Sequence, residues 1–427
     1  MKKVMLKTTL SLTVAMASSQ LFASGFALNE QDVAGMGTGF AGRSSSADNA
    51  STVYGNPAGM ARLEGQQITG GVAAIDASTD IKNASGRSFG SNKGDMVPFT
   101  AVPFGFYTNK LNDQWAVGVG VYAPFGLVTD YERGFQGRSF GSYSKVSVIT
   151  LQPTVSYAFN DRVSIGFGPT INRISGKLES ELALSTNPAV PNSNVTIKGD
   201  DTAVGFNVGV LVQATDTTRV GLTYHSKVSY KLDGHTEVTA PTPTAPLLAS
   251  GRYDASLSID TPESYDLSVT QDLSDAWKLY AGSTWTRWSR LKDITVDNQG
   301  VTRAGGLAAP QIVGTISEPQ NWHDTWAYAL GTSYQVTKQV VLRTGLTFDQ
   351  SPTNNTDRSP RIPTGDRTIF SVGLGYEVMP NMIVDVAYSY LKEEPVKVNK
   401  ANALGSSYSA KYENSANGFG LGVTYKF

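Results

Sequence analysis

The chain has 427 residues and no cysteine, which excludes disulfide-built scaffolds and thiolate chemistry. Its 35 Lys+Arg against 36 Asp+Glu give none of the basic excess that nucleic-acid binding requires, so no nucleic-acid partner is expected. No run of about 18 uncharged apolar residues follows the first two dozen positions, which argues against membrane helices but leaves a membrane barrel open. In such a barrel lipid-facing and lumen-facing residues alternate, and mean hydropathy stays as unremarkable as the −0.18 found here.

Residues 1–23 read as a secretory signal: Lys2, Lys3 and Lys7, then the apolar-leaning LSLTVAMA, then Gln20-Leu21-Phe22-Ala23 with cleavage after Ala23. Its removal takes Lys+Arg from 35 to 32 against 36 acidic residues, leaving a mature charge of −4. Residues 24–63 follow with no helix or strand period and are rich in Gly, Ala and Ser, a composition that lets a chain fold closely against itself.

From Gln66 onward apolar residues alternate with small or polar ones over segments of roughly ten, the pattern of half-buried strands. Val204, Phe206, Val208, Val210 and Val212 share one face; Gly205, Asn207, Gly209 and Gln213 share the other, with Leu211 the exception. Six short polar turns fall at 109–114, 160–162, 215–218, 272–275, 337–339 and 379–381. Longer polar insertions fall near 79–95, 127–142, 178–201, 233–250, 291–321, 350–366 and 392–414. Six turns and seven loops join fourteen strands.

The predicted fold is therefore all-β: a 14-stranded antiparallel transmembrane β-barrel spanning residues 64–427, in a bacterial outer membrane, with both termini at the periplasmic rim. The final strand agrees, since Phe419, Leu421, Val423, Tyr425 and Phe427 alternate to a terminal aromatic. A soluble sandwich would alternate similarly but needs neither the signal nor such long strands. About eight strands already make a lumen that side chains just fill, so fourteen need a separate occupant. Residues 24–63 are predicted to plug it. Within them Asn56-Pro57-Ala58 reads as a turn. At the end of the third strand, Tyr122-Ala123-Pro124-Phe125-Gly126 combines a residue that removes a ladder donor with one that permits a bend, so a kink there would part the wall.

Several of these residues carry a resemblance. Gly25 to Glu30 (GFALNE), Asn56-Pro57-Ala58, Pro262-Glu263, Arg343 to Pro352 (RTGLTFDQSP), and Ile362-Pro363 with Asp366-Arg367 make the chain resemble the FadL family of outer-membrane transporters for long-chain fatty acids and other hydrophobic molecules. The resemblance implies that residues 24–63 are a movable hatch, that substrate is captured at extracellular loops, and that it leaves sideways through the wall. On that reading Asn56, Pro57 and Ala58 secure the hatch, and Pro124, Phe125 and Gly126 form the gate. Lateral exit also has a physical reason, because each methylene kept out of periplasmic water is worth about 0.8 kcal/mol.

A fatty-acid carboxylate in an apolar pocket needs a cation or several donors. Arg173 and Lys177 on the fifth strand are the candidates, although Arg173 shares parity with the lipid-facing Val163, Ile165 and Phe167 and turns inward only if Pro169 or a bulge resets the register. Ahead of the tenth strand, where the resemblance implies a Lys, this chain has Glu318. Phe26 and Leu28 either touch substrate or simply pack in the plug. Leu247 and Leu248, with Leu182, Leu184, Val190 and Val195, either form an acyl-capture groove or pack on themselves. Trp277, Trp285, Trp288, Trp322 and Trp326 are assigned to interfacial girdles.

An acyl hydrolase would need a nucleophile beside its base, whereas His225 and Ser226 point to opposite faces of a strand and no GxSxG or HExxH occurs. An open porin fits poorly with a plug. No cofactor or metal is expected. The partners expected are a long-chain fatty acid or, alternatively, an aromatic hydrocarbon, together with outer-membrane lipid and lipopolysaccharide around a monomer.

Overall fold

Alternating side chains need a two-faced sheet, and in lipid every backbone N–H and C=O also needs a partner, which a sheet supplies only by closing on itself. The computed structural model, which describes residues 25–184, 190–244 and 246–427, shows that closure. The expected signal peptide, with Ser24, lies outside the described residues.

Six uninterrupted strands come first: β1 (Gln66–Gly86), β2 (Thr100–Lys110), β3 (Trp115–Asp130), β4 (Tyr143–Ala158), β5 (Val163–Leu182) and β6 (Ser193–Gln213). Four broken strands follow: β7 (Thr218–His225 and Val228–Thr239), β8 (Gly251–Thr261 and Ser264–Asp272), β9 (Trp277–Thr286 and Asp293–Asn298) and β10 (Thr315–Pro319 and Thr325–Gln335). The circuit ends with β11 (Val340–Asp349), β12 (Arg367–Met379), β13 (Met382–Glu393 and Val396–Ala401) and β14 (Ser407–Lys426). Each strand runs antiparallel to the next. The last closes on the first, from Gln67↔Lys426 to Gly86↔Tyr408, giving a 14-stranded barrel. All six short turns lie on one rim, where Phe427 N also donates to Gln66 O at 2.9 Å.

Outward residues form an apolar belt that includes Val204, Phe206, Leu222, Leu267 and Leu330, whereas Leu211, the exception to alternation on β6, is buried on the lumen side. Aromatic rings edge the belt. Trp115 packs on Tyr157 and Trp277 on Tyr334 near the short-turn rim; Tyr265 with Trp285, and Trp326 with Tyr328, lie at the other edge. From Trp277 to Trp285 is nine residues, within the roughly 9–11 that a tilted membrane strand uses.

Two expectations are corrected. Trp288 and Trp322 are not girdle residues, for both are fully buried inside the barrel. They sit in the breaks of β9 and β10, where the chain leaves the pleat and strand parity no longer decides a side chain's direction. The long loops are also shorter than expected. The β5–β6 ladder continues to Leu182↔Ser193 and β14 begins at Ser407, inside the expected loops 178–201 and 392–414. Beyond the apolar belt both faces of a strand are polar, so alternation fades while the hydrogen-bond ladder persists.

Residues 25–63 lie within the lumen. They form two short helices, Val33–Gly37 and Thr52–Gly55, and a 3₁₀ turn, Pro57–Arg62; the Asp32 carboxylate caps the first helix by accepting from Gly35 N at 2.7 Å. From this segment, hydrogen bonds or van der Waals contacts reach every strand from β1, where Thr69 Oγ1 accepts from Ala50 N, round to β14, where Val33 lies over Gly420. Wall glycines make the fit possible. A Cβ on Gly166 would collide with the Pro57 carbonyl carbon, and one on Gly209 with the Asn56 side chain.

Candidate substrate site

β3 is bent where its sequence predicts. Its register with β4 slips between Tyr122 and Phe125, so one extra residue is accommodated around Pro124. Its ladder with β2 ends at Gly105↔Val121. Beyond that pair, among the described residues, Thr100–Phe104 of β2 is bonded only to β1. The wall is therefore parted here, and the N-terminal segment is held against the bend. Leu28 N donates to Pro124 O at 2.8 Å, Gly126 N to Phe26 O at 2.8 Å, and Gln31 Nε2 to Ala123 O at 2.6 Å. Leu28 belongs to the buried cluster that also holds Val102 of β2 and Ala123 of β3.

The Phe26 ring, 3% exposed, points away from that seam. It packs against Trp288 at 4.9 Å, Phe125 at 5.7 Å and Trp322 at 5.9 Å between ring centres. It forms one end of a cavity walled by Leu127, Ile174, Leu232, Leu257 and Leu291 among others. Gln320 and Arg361 also line it. Arg361 is 8% exposed and is carried in by the loop between β11 and β12, whose Pro360 and Pro363 carbonyls accept from Tyr131 Oη at 2.7 Å and Asn414 Nδ2 at 2.8 Å. Its Nε donates to Glu318 Oε2 at 3.2 Å, and its Nη1 to Tyr143 O at 3.0 Å and Ser144 Oγ at 2.9 Å. The arrangement is an apolar chamber with Arg361, paired to Glu318, in its wall and the bend of β3 behind its aromatic end.

The family described as "Outer membrane protein transport protein (OMPP1/FadL/TodX)" matches residues 14–427. The chain belongs to the FadL family. It is 27% identical to the long-chain fatty acid transport protein of an Escherichia coli strain, over 100% of this chain and 99% of that one. Among solved structures it is similar to a Pseudomonas aeruginosa FadL homologue, with TM-score 0.83 and 28% identity over 95% of this chain and 100% of that one. The fold is also that of the Pseudomonas putida toluene transporter TodX, at TM-score 0.70 and 18% identity over 95% of this chain and 99% of that one.

Set in this FadL-family frame, the residues singled out by sequence fall at distinct places. Asn56, Pro57 and Ala58 are buried where the segment meets the wall: Asn56 Nδ2 donates to Ser44 O at 2.7 Å and to Val210 O at 3.0 Å, while Ala58 O accepts from Ser164 Oγ at 2.9 Å and Ser156 Oγ at 3.2 Å. Phe26 lines the chamber, and Leu28, Pro124, Phe125 and Gly126 form the bend and its cover. Arg173 and Lys177 do not reach the cavity. The β5–β6 register runs unbroken from Val163↔Val212, so Pro169 resets nothing and both side chains face outward. Arg173 pairs with Asp200 and Thr202 of β6, and Lys177 with Glu179 at 2.6 Å.

Leu248 is fully buried among Val195, Val238, Ala309 and Val313, while Leu247 is 43% exposed, so the loop packs on itself. Leu248→Ala is expected to cost about 2–5 kcal/mol, against under about 0.5 kcal/mol for Leu247→Ala, and equilibrium unfolding in urea would separate the two. The sequence reading missed Arg361. Its neighbours Ile362 and Pro363 were already part of the family resemblance, but nothing in the local pattern says that this loop turns inward. His225 lies 4.9 Å from the Tyr54 ring, and Ser226 Oγ is engaged with Phe206 N.

Proposed function

We propose that the protein carries long-chain fatty acids and related acyl compounds across the outer membrane, with the short-turn rim and both chain ends facing the periplasm. Substrate enters from the long loops, rests with its chain in the apolar cavity, and leaves sideways between β2 and β3 when residues 25–63 shift as a hatch. One observation carries this reading: Phe26 lines the cavity with its ring and binds the bend of β3 with its backbone. A chain entering the cavity must therefore press on the residue that holds the wall opening covered. Differential affinity of substrate for the opened conformer would then drive the change. The name of the Escherichia coli relative supports an acyl substrate.

Uptake of aromatic hydrocarbons is the second reading, supported by the likeness to the toluene transporter and by the apolar wall. Arg361 in that wall favours a substrate with a polar end. Growth tests decide between them. A strain lacking its own transporter is expected to gain growth on oleate, and not on toluene, when it expresses this chain. Leu232→Trp, which fills the cavity, should lower oleate uptake at least tenfold with the barrel intact in heat-shift electrophoresis. Rescue on toluene alone would overturn the acyl reading.

A further inference from the structure

We infer that a row of lysines on the outward face of β4, β5 and β6 is a binding site for the phosphorylated head group of lipopolysaccharide. The site lies outside the transport path, and the inference rests on the long-loop rim facing away from the cell.

Lys145, Lys177 and Lys198 stand side by side. Lys145 is the cross-strand partner of Lys177, and Lys177 is that of Lys198. Parity turns all three outward: Lys145 shares a face with Leu151 and Val155, Lys177 with Phe167 and Ile171, and Lys198 with Val204 and Phe206, all exposed on the apolar belt. Like charges directly opposite one another destabilise a sheet, so a row of three calls for anions. The chain supplies too few. Lys177 is matched by Glu179 and the nearby Arg173 by Asp200, whereas neither Lys145 nor Lys198 has an ion-pair partner among the described residues. Four cations against two acids leave the patch at +2. Asp130, opposite Tyr143 on β3, bounds it on one side, and Asp233 and Glu237 of β7 bound it on the other.

Position selects the anion. Lys145 lies four residues beyond Ile149, the last aliphatic residue on the outward face of β4, which is about 13 Å along the strand. With a strand tilt of about 40° that becomes about 10 Å above the apolar belt, in the head-group layer of the outer leaflet. Lysine stems lie along apolar surface while their ammonium groups stay in the polar layer, and an ammonium is a point charge suited to phosphate. A phospholipid or a fatty acid brings a single anionic group to such a row. Lipopolysaccharide brings several phosphates on one saccharide. Lys145 and Lys198, two strand spacings or about 10 Å apart, can take two of them at once. Lys177 stands between them, over the Tyr143 ring at 4.6 Å.

The test is titration of the full chain, folded into detergent micelles free of bacterial lipid, with fluorescent lipopolysaccharide and with the same material stripped of phosphate by hydrofluoric acid. The natural protein should bind the phosphorylated form at least tenfold more tightly. Lys145→Gln, Lys177→Gln and Lys198→Gln combined should weaken that form at least tenfold and the stripped form by less than threefold. Lys231→Gln with Arg252→Gln, exposed cations on β7 and β8, should change neither by more than threefold. Equal binding of the two forms by the natural protein overturns the inference, and that comparison needs no substitution. An equal loss in the Lys231→Gln, Arg252→Gln protein overturns it too, because the attraction would then be to charge in general. Orientation is read separately, from an epitope inserted after Gly300 between β9 and β10. Antibody should reach it on intact cells; if it does so only after the outer membrane is permeabilised, the row faces the periplasm and the assignment falls with the orientation.

Discussion

A disulfide joining position 27 to position 125 is expected to abolish uptake, and its reduction to restore it. Ala27 and Phe125 are antiparallel partners across the contact between the N-terminal segment and the bend of β3. The flanking hydrogen bonds, Leu28 N to Pro124 O and Gly126 N to Phe26 O, make them a non-hydrogen-bonded pair. In that geometry the Cα atoms lie about 4.5 Å apart, within the range a disulfide spans without strain. The chain has no cysteine of its own, so Ala27→Cys with Phe125→Cys forms one possible bridge. The bond would hold Phe26 over the cavity and Leu28 over the seam. Oleate uptake should fall at least tenfold in the oxidised protein and rise again when a reductant is added, while uptake by the single-cysteine proteins should not depend on the reductant. Uptake that is equal with and without reductant would mean that the hatch does not move at this point.

The second large effect lies two strands away, on β5. Gly166→Val introduces a side chain where the Pro57 carbonyl carbon and Ala58 nitrogen now sit, so the Asn56-Pro57-Ala58 turn must withdraw from β4, β5 and β6. Withdrawal breaks the Asn56 bond to Val210 O and the two serine bonds to Ala58 O. Each polar group left buried and unpaired costs about 1–3 kcal/mol, so the docked hatch becomes a minor state. The strand ladder is untouched, and valine suits a strand. The expected result is an intact barrel with an open lumen, seen as a steady ion conductance in planar bilayers where the natural protein shows little. Asn56→Leu should act the same way more weakly. A silent Gly166→Val protein that still migrates as a folded barrel would show that this turn does not hold the hatch.

Much of this was legible in the chain because membrane strands obey two strong constraints, alternation and closure. Val204 to Val212 announce a lipid face by parity alone, the six polar turns punctuate it, and an even strand count leaves a lumen that only the glycine-rich segment can fill. Parity even carried the warning about Arg173, whose outward direction follows from Val163, Ile165 and Phe167. The cavity was harder to read because its parts arrive by interruption. Trp288 and Trp322 stand in broken strands, and Arg361 is delivered by a loop that doubles back, so neither a period of two nor a turn signal marks them. Ion pairing between Glu318 and Arg361 joins residues far apart in the chain. Local pattern cannot show a partner that distant.

The contacts of residues 25–63 with all fourteen strands also bear on the order of assembly. Val33 and Met36 rest on β13 and β14, which are synthesised last, although they themselves are among the first residues made. The seam from Gln67↔Lys426 to Gly86↔Tyr408 can therefore close only around a segment already gathered inside, and that segment gains its full set of partners only when the seam closes. The two events stabilise one another. A chain cut short before Ser407 would lose more than one wall strand: it would also release the oldest part of the molecule from the place it had been waiting to occupy.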